Sequence, residues 1–253
     1  MKQRVISGVI IALVTIVSVL FGNILKIVCA LIAVQATREV MNLRRTKFDK
    51  YLFITMLVSI LAITYFEKFG IIVTLIEPIV LCGICVFVSD LRFEDVCLVE
   101  TMSLMIGMAL HYFLAFDALS PYLFGYVIII AYLTDVFALL TGMKFGKRKL
   151  CPRVSPHKTV EGFIGGWICG AVISFVWAAC FHFFYMPVSV FIVGSIILPL
   201  VSQIGDLIFS MIKRNYDVKD FSNLIPGHGG ILDRLDSLIV TTLVLAVIWI
   251  VLA

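Results

Sequence analysis

GDLIFSMIKRNYDVKDFSNLIPGHGGILDRLD, residues 205–236, is a polar segment set between two apolar runs. It carries Asp206, Lys213, Arg214, Asp217, Lys219, Asp220, His228, Asp233, Arg234 and Asp236. The run 187–209 leads into it, and after Asp236 the run to residue 253 has no further charge. Each flanking run approaches the roughly 20 residues that cross a hydrocarbon core of about 30 Å. Charges beside a bilayer are costly and mark functional sites. The segment therefore reads as the active site of an enzyme held at a membrane surface.

Composition extends that reading to the whole chain. The 253 residues are 62% hydrophobic and 14% charged, against roughly 45–50% and about 25% in soluble domains. The expectation is one integral membrane domain with no appended soluble domain. Apolar runs mark about nine spans, near 5–21, 24–40, 52–66, 71–89, 96–116, 121–142, 161–184, 187–209 and 236–253. Lys2 and Arg4 before the first run resemble a signal peptide, but no small-residue cleavage site follows, so a retained span is expected. The seven cysteines lie mostly in apolar runs and read as small hydrophobes; Cys82 and Cys85 form a C-x-x-C with no second pair or nearby His.

Lysine and arginine accumulate on the cytoplasmic side of membranes. They gather at 41–51 (Arg44, Arg45, Lys47, Lys50), 143–160 (Lys144, Lys147, Arg148, Lys149, Arg153, Lys158) and 210–235 (Lys213, Arg214, Lys219, Arg234). The opposite turns, near 22–23, 67–70, 117–120 and 185–186, hold one lysine between them. The fold expected is thus an all-α polytopic helix bundle with a cytoplasmic N-terminus. Spans within 1–120 form an N-terminal part, and 121–253 a catalytic half whose loops 143–160 and 210–235 share the cytoplasmic face.

The loop GMKFGKRKLCPRVSPHKTVEG precedes the seventh span. Ser155 followed by Pro156 predicts a helix start, because Ser caps and Pro suits the first turn. His157, Lys158 and Thr159 would then stand at a helix N-terminus with free N–H groups, which makes an anion site. The bland reading, a basic loop that only sets topology, accounts for Lys147–Lys149 but not for the cap. Within the seventh span Gly162, Gly166, Gly170 and Ser174 form a smooth face, suited equally to packing inside the bundle or to a dimer. Glu77, before Pro78, is either buried against a partner or lines a path, and His111 beside Tyr112 reads as an interior hydrogen-bonded histidine. Asp135, inside the sixth span, calls for a cation and keeps a proton-relay role in a transporter open.

In the opening segment, Asp206, Ser210 and Lys213 or Arg214 recur at helical spacing and form one polar stripe ending near Asn215. Pro226-Gly227-His228-Gly229-Gly230 is a turn whose glycines permit close backbone approach. Asp233 and Asp236, three apart, share a face at the start of the last span. Carboxylates among basic residues suit Mg²⁺ with phosphates, since Mg²⁺ is usually held by one or two carboxylates plus substrate phosphate. Attack at a nucleotide phosphorus is the chemistry this favours.

The pattern Ser210, Lys213-Arg214, Lys219-Asp220, Pro226-x-His228-Gly229-Gly230 and Asp233-Arg234-x-Asp236 resembles the signature of the phosphatidate cytidylyltransferase (CDP-diacylglycerol synthase) family. The likeness reaches back through Gly205-Asp206 and Ser155-Pro156-x-Lys158-Thr159-x-Glu161-Gly162. It departs after Asp135, where Val136 and Phe137 replace small residues. The resemblance implies a cytoplasm-facing funnel between helices, a homodimer, a divalent metal, and conversion of CTP and phosphatidate to CDP-diacylglycerol and pyrophosphate. On it Asp206, Lys213, Asp233 and Asp236 are the expected catalytic residues, with Asp206, Asp233 and Asp236 on Mg²⁺ and room for a second metal or a monovalent cation. Ser155, Lys158, Thr159, Ser210, Arg214, Lys219, Asp220, His228, Gly229, Gly230 and Arg234 are the expected substrate contacts, with phosphate cradled by N–H groups of the His228–Gly230 turn. The expected setting is the bacterial cytoplasmic membrane, with the site facing the cytoplasm and no nucleic-acid partner. Two rivals are weaker. An anion transporter would carry charges at mid-depth in several spans, and a CDP-alcohol phosphotransferase would need a D-G-x-x-A-R pattern, absent here.

Overall fold

A computed structural model describes residues 13, 17, 18, 21–43, 49–181, 187–225, 227 and 229–252. The expected span 5–21 and the basic residues Arg44, Arg45 and Lys47 fall almost wholly outside these residues. Among those described there are eight helices: α1 (Gly22–Leu43), α2 (Asp49–Tyr65), α3 (Glu67–Phe87), α4 (Phe93–Leu119), α5 (Pro121–Phe145), α6 (Val160–Phe181), α7 (Val188–Asn215) and α8 (Leu232–Leu252). Each matches an expected span. From α3 to α8, six are long and apolar enough to cross a membrane. The chain is an all-α membrane protein, and among the described residues its one sheet is a short hairpin, β1 (Lys149–Cys151) with β2 (Ser155–Thr159).

The described chain forms two compact units. One takes the chain up to Leu114 together with Asp220–Asp233; the other takes Ala115–Lys219 and everything from Arg234. In the first unit α1 packs on α2 and α2 on α3. Its core is Cys29, Ala33, Ala36 and Val40 of α1 with Met56 and Ile60 of α2. Gly107 of α4 lies against the Ile63 side chain. Several polar groups pair internally, as suits a setting with little water at hand. Thr64 donates to the Gly107 carbonyl, His111 Nδ1 meets the Thr64 carbonyl at 3.3 Å, and Ser59 donates to Glu77. His111 is thus an interior histidine, edge-on to Tyr112. Large apolar side chains of α3, among them Ile71, Leu75 and Ile79, are exposed, which suits a lipid-facing surface.

In the second unit α5, α6 and α7 pack together. Gly162, Gly166, Gly170 and Ser174 of α6 are all buried. A Cβ at Gly166 would stand 2.7 Å from Ala138 Cβ and 2.9 Å from the Thr134 carbonyl of α5. The smooth face is therefore spent inside the bundle. Trp167 Nε1 donates to the Ile196 carbonyl and Trp177 Nε1 to the Tyr122 carbonyl, locking α6 to α7 and to α5.

The predicted helix start at Ser155-Pro156 is corrected here. Ser155–Thr159 is strand β2, antiparallel to β1 with Lys149 opposite Thr159 and Cys151 opposite Ser155. The helix begins four residues later, at Val160, and its cap is Thr159, whose Oγ1 accepts from Gly162 N at 3.1 Å. Glu161 holds the preceding chain by accepting from Lys147 N and Arg148 N. The physical reason is competition: Ser-Pro favours a helix N-terminus locally, but the ladder to β1 engages those residues and hands the cap to the next hydroxyl.

Candidate active site

The site is built where α7 approaches α8 at Gly205, in the second unit. Gly205 permits the approach: a Cβ there would lie 3.2 Å from the Asp236 carbonyl and 3.0 Å from Val240 Cβ. Asp206 and Asp236, on neighbouring turns of the two helices, consequently lie carboxyl to carboxyl. Lys158, at the end of β2, reaches into the same place. Its Nζ is 2.5 Å from Asp206 Oδ2 and 3.4 Å from the Gln203 carbonyl. Ser210, one turn on from Asp206, donates to Asp206 Oδ1 at 3.4 Å. Lys213, only 7% exposed, faces both aspartates. Asp236 is 8% exposed, and its Oδ1 accepts from Ser237 N at 2.7 Å.

Asp135 joins this cluster from α5. Ser237 Oγ donates to Asp135 Oδ2 at 3.1 Å, and Lys158, Asp206 and Arg234 all bear on its charge. The backbone of Arg234 is tied to α5 as well, since Tyr132 donates to its carbonyl at 3.5 Å. Sequence reasoning left Asp135 without a role. Its signal was a carboxylate in the C-terminal half of an otherwise apolar span.

Neighbouring carboxylates repel unless a cation or proton is shared between them. Lys158 partly meets that need on Asp206. Among the described residues no three metal-binding side chains stand together at ligating geometry, but Mg²⁺ does not require three. Two adjacent hard-oxygen donors match its habit of taking one or two carboxylates and completing its shell with water and phosphate. The Asp206–Asp236 pair fits the ion.

Two further basic residues, Arg214 and Lys219, sit at and just past the end of α7. Asp217, at φ 55°, takes the left-handed conformation that stops the helix, and Val218 N closes back on the Lys213 carbonyl. Arg214 ties the hairpin turn to this end through Nε to the Val154 carbonyl and Nη1 to the Val218 carbonyl. Lys219 and Asp220 are exposed. Ser155 and Thr159 are in β2, with Thr159 occupied as the helix cap.

In the first unit the segment 220–233 is shaped by two carboxylates. Asp233 Oδ2 accepts from Phe221 N at 2.9 Å and Gly230 N at 2.8 Å. Gly229, at φ 82°, pairs both ways with Ile225. The second carboxylate is Glu39 of α1, which sequence reasoning missed. It accepts from Gln35 Nε2, Ser222 Oγ and Ile231 N on Oε1, and from Leu232 N on Oε2. The amides of residues 229–232, expected in part to cradle phosphate, are therefore engaged within the protein. Pro226 and His228 lie outside the described residues. The sequence signal for Glu39 was a lone acid near the end of an apolar run; its partners about 190 residues away leave no local pattern.

Comparison with known proteins bears on the same segments. Residues 2–252 match the model of the cytidylyltransferase family. A phosphatidate cytidylyltransferase of Bacillus subtilis (strain 168) is 34% identical over 253 residues, covering 94% of this chain and 93% of that protein. One from Staphylococcus aureus (strain COL) is 34% identical over 251 residues, covering 94% of each. One from Staphylococcus saprophyticus is 34% identical over 249 residues at the same coverage.

Proposed function

The chain belongs to the cytidylyltransferase family, and from that premise we propose that it is a phosphatidate cytidylyltransferase, converting CTP and phosphatidate to CDP-diacylglycerol and pyrophosphate. The observation that carries the reading is the Lys158–Asp206–Asp236 cluster with Lys213 facing it. It combines hard-oxygen donors with ammonium groups, as transfer between two phosphates requires. A phosphate oxygen of phosphatidate attacks the α-phosphorus of CTP and forms a new P–O bond. The bond from that phosphorus to the bridging oxygen breaks, and pyrophosphate leaves with the electron pair. The lipid phosphate is itself the nucleophile, so the protein's part is positioning and charge neutralisation.

Asp206 and Asp236 are the groups that would hold Mg²⁺. When bound, the ion neutralises charge on the triphosphate oxygens. Lys158 and Lys213 present ammonium groups from the hairpin and from the last turn of α7. Arg214 and Lys219 add positive charge at the end of α7 and just beyond it. Ser210 holds Asp206 in register. Asp233 acts through the loop it pins rather than as an open ligand.

The setting proposed with this function is a bundle of about nine spans with a cytoplasmic N-terminus, in the cytoplasmic membrane of a bacterium. The lysine and arginine bias supports that orientation. A homodimer follows the family resemblance, joined by a surface other than the Gly162–Ser174 face. The test uses purified protein in phosphatidate micelles with Mg²⁺ and CTP labelled at either the α- or the γ-phosphate. The α-label should enter the organic phase and the γ-label should appear in pyrophosphate. Release of γ-label as orthophosphate, with no lipid label, would replace this reading with nucleotide hydrolysis.

A further inference from the structure

We infer that Glu39 is a positioning residue: from α1 it caps the start of α8, the helix that carries Asp236, and sets the conformation of the 220–232 loop. The inference rests on the cytidylyltransferase reading for its effect on turnover, but its structural part stands alone.

Glu39 is fully buried, with 0% exposure. A carboxylate in that position needs strong partners, and it has four donors. Three come from the segment 222–232, more than 180 residues away in sequence. Leu232 is the first residue of α8, where N–H groups lack helical partners and the backbone dipole favours negative charge. Helices usually solve this with a side chain at their own N-cap. Here the cap at Leu232 comes from another helix, while Asp233 turns back to hold Phe221 and Gly230. Two carboxylates thus divide the loop between them.

Gly230 is the complementary half of the arrangement. A Cβ there would lie 2.6–2.7 Å from Oε2, Cδ and Oε1 of Glu39, the three nearest atoms. Its φ is not in the left-handed range, unlike that of Gly229. Gly230 is glycine for space, and the space is filled by Glu39. The second glycine of the His-Gly-Gly turn is thereby explained by the group it admits, rather than by an open anion cradle.

The test is a double-mutant cycle read by hydrogen exchange without substrates and by turnover. In Glu39→Gln the side-chain amide meets Leu232 N–H with a donor. We expect exchange in 221–232 to quicken roughly tenfold or more, with peptides of α5, α6 and α7 unchanged. The kcat should fall by about tenfold or more, and the Mg²⁺ concentration for half-maximal rate should rise, a shift that loss of folded protein alone does not produce. Gly230→Ala should reproduce both effects, and Glu39→Ala/Gly230→Ala should be no worse than Glu39→Ala. Unchanged exchange in 221–232, equal deprotection of α5–α7, additive losses, or altered exchange with wild-type kcat and Mg²⁺ dependence would each overturn the inference. If Glu39→Gln does not accumulate as folded protein, Ser222→Ala and Gly230→Ala weaken the same carboxylate and carry the comparison. If the wild type itself makes no lipid product, the substrate reading fails, and the exchange cycle still decides whether Glu39 sets the loop.

Discussion

Replacing Lys158 by methionine keeps most of the length of the side chain and removes its charge. The ammonium stands 2.5 Å from Asp206 Oδ2, and the two side chains are 23% and 27% exposed. At an effective dielectric of about 20, a unit pair at that distance attracts with about 7 kcal/mol before desolvation is charged against it. Exposed pairs net about 0–1 kcal/mol, whereas removing one partner of a buried pair costs about 3–5 kcal/mol. With roughly a quarter of each side chain exposed, about 2–3 kcal/mol is the expected loss of stability. It leaves Asp135, Asp206 and Asp236 facing one another with one ammonium fewer. Two assays follow. Thermal unfolding in detergent without metal should show a clearly lowered Tm, and added Mg²⁺ should raise Tm more in Lys158→Met than in the wild type. Turnover of CTP into lipid product should fall about 30–200-fold, the rate equivalent of about 2–3 kcal/mol of lost charge stabilisation in the transition state. Lys158→Arg should recover part of the stability. In a cycle with Asp206→Asn the two losses should be strongly non-additive. Wild-type Tm, turnover within threefold of wild type and additive losses would together refute the assignment of Lys158 to this cluster.

Three further outcomes are expected. Gly166→Val should lower the yield of folded protein or cost about 1–3 kcal/mol, because its Cβ would meet Ala138 and Thr134; Gly83→Ala on α3, where nothing lies within 4 Å, should be tolerated. The check is Tm and monodispersity of each variant. Thr159→Ala should cost about 1 kcal/mol as loss of a helix cap and Thr159→Ser much less, while Ser155→Ala should leave Tm nearly unchanged; the reverse order would restore the helix start at Ser155. Gly229→Ala combines a left-handed φ with a Cβ 2.7 Å from Asp233 Oδ2, so it should cost more than the roughly 1–2 kcal/mol of the backbone conformation alone. Its effect on Tm should shrink in an Asp233→Ala background.

What the sequence disclosed, and what it did not, divides along the range of the interactions. The helices are local events, so apolar length marked the eight that are described, and helical spacing put Asp206, Ser210 and Lys213 on one face. Lys158 was marked as an anion-site residue through a helix start that the hairpin replaces; β1 pairing decides there, and nothing within 155–160 reveals it. Asp135 was visible as a misplaced carboxylate, but its partners on α7 and α8 belong to tertiary packing. The loop shows the limit most clearly. The segment 210–235 read as one piece of the catalytic half, yet Asp220–Asp233 groups with the N-terminal unit, where Glu39 takes its amides. A single acid in α1 carries no period that would announce such a partner.

The most direct test of the account is the rate at which wild-type protein and the Asp236→Asn variant, each folded in phosphatidate-containing nanodiscs with Mg²⁺, convert α-labelled CTP to lipid-extractable product. Wild type should form CDP-diacylglycerol in strict dependence on phosphatidate. Asp236→Asn should be slower by about a hundredfold or more, the scale of losing one electrostatic stabiliser of phosphoryl transfer. No lipid product from folded wild-type protein, or a wild-type rate from Asp236→Asn, would contradict it.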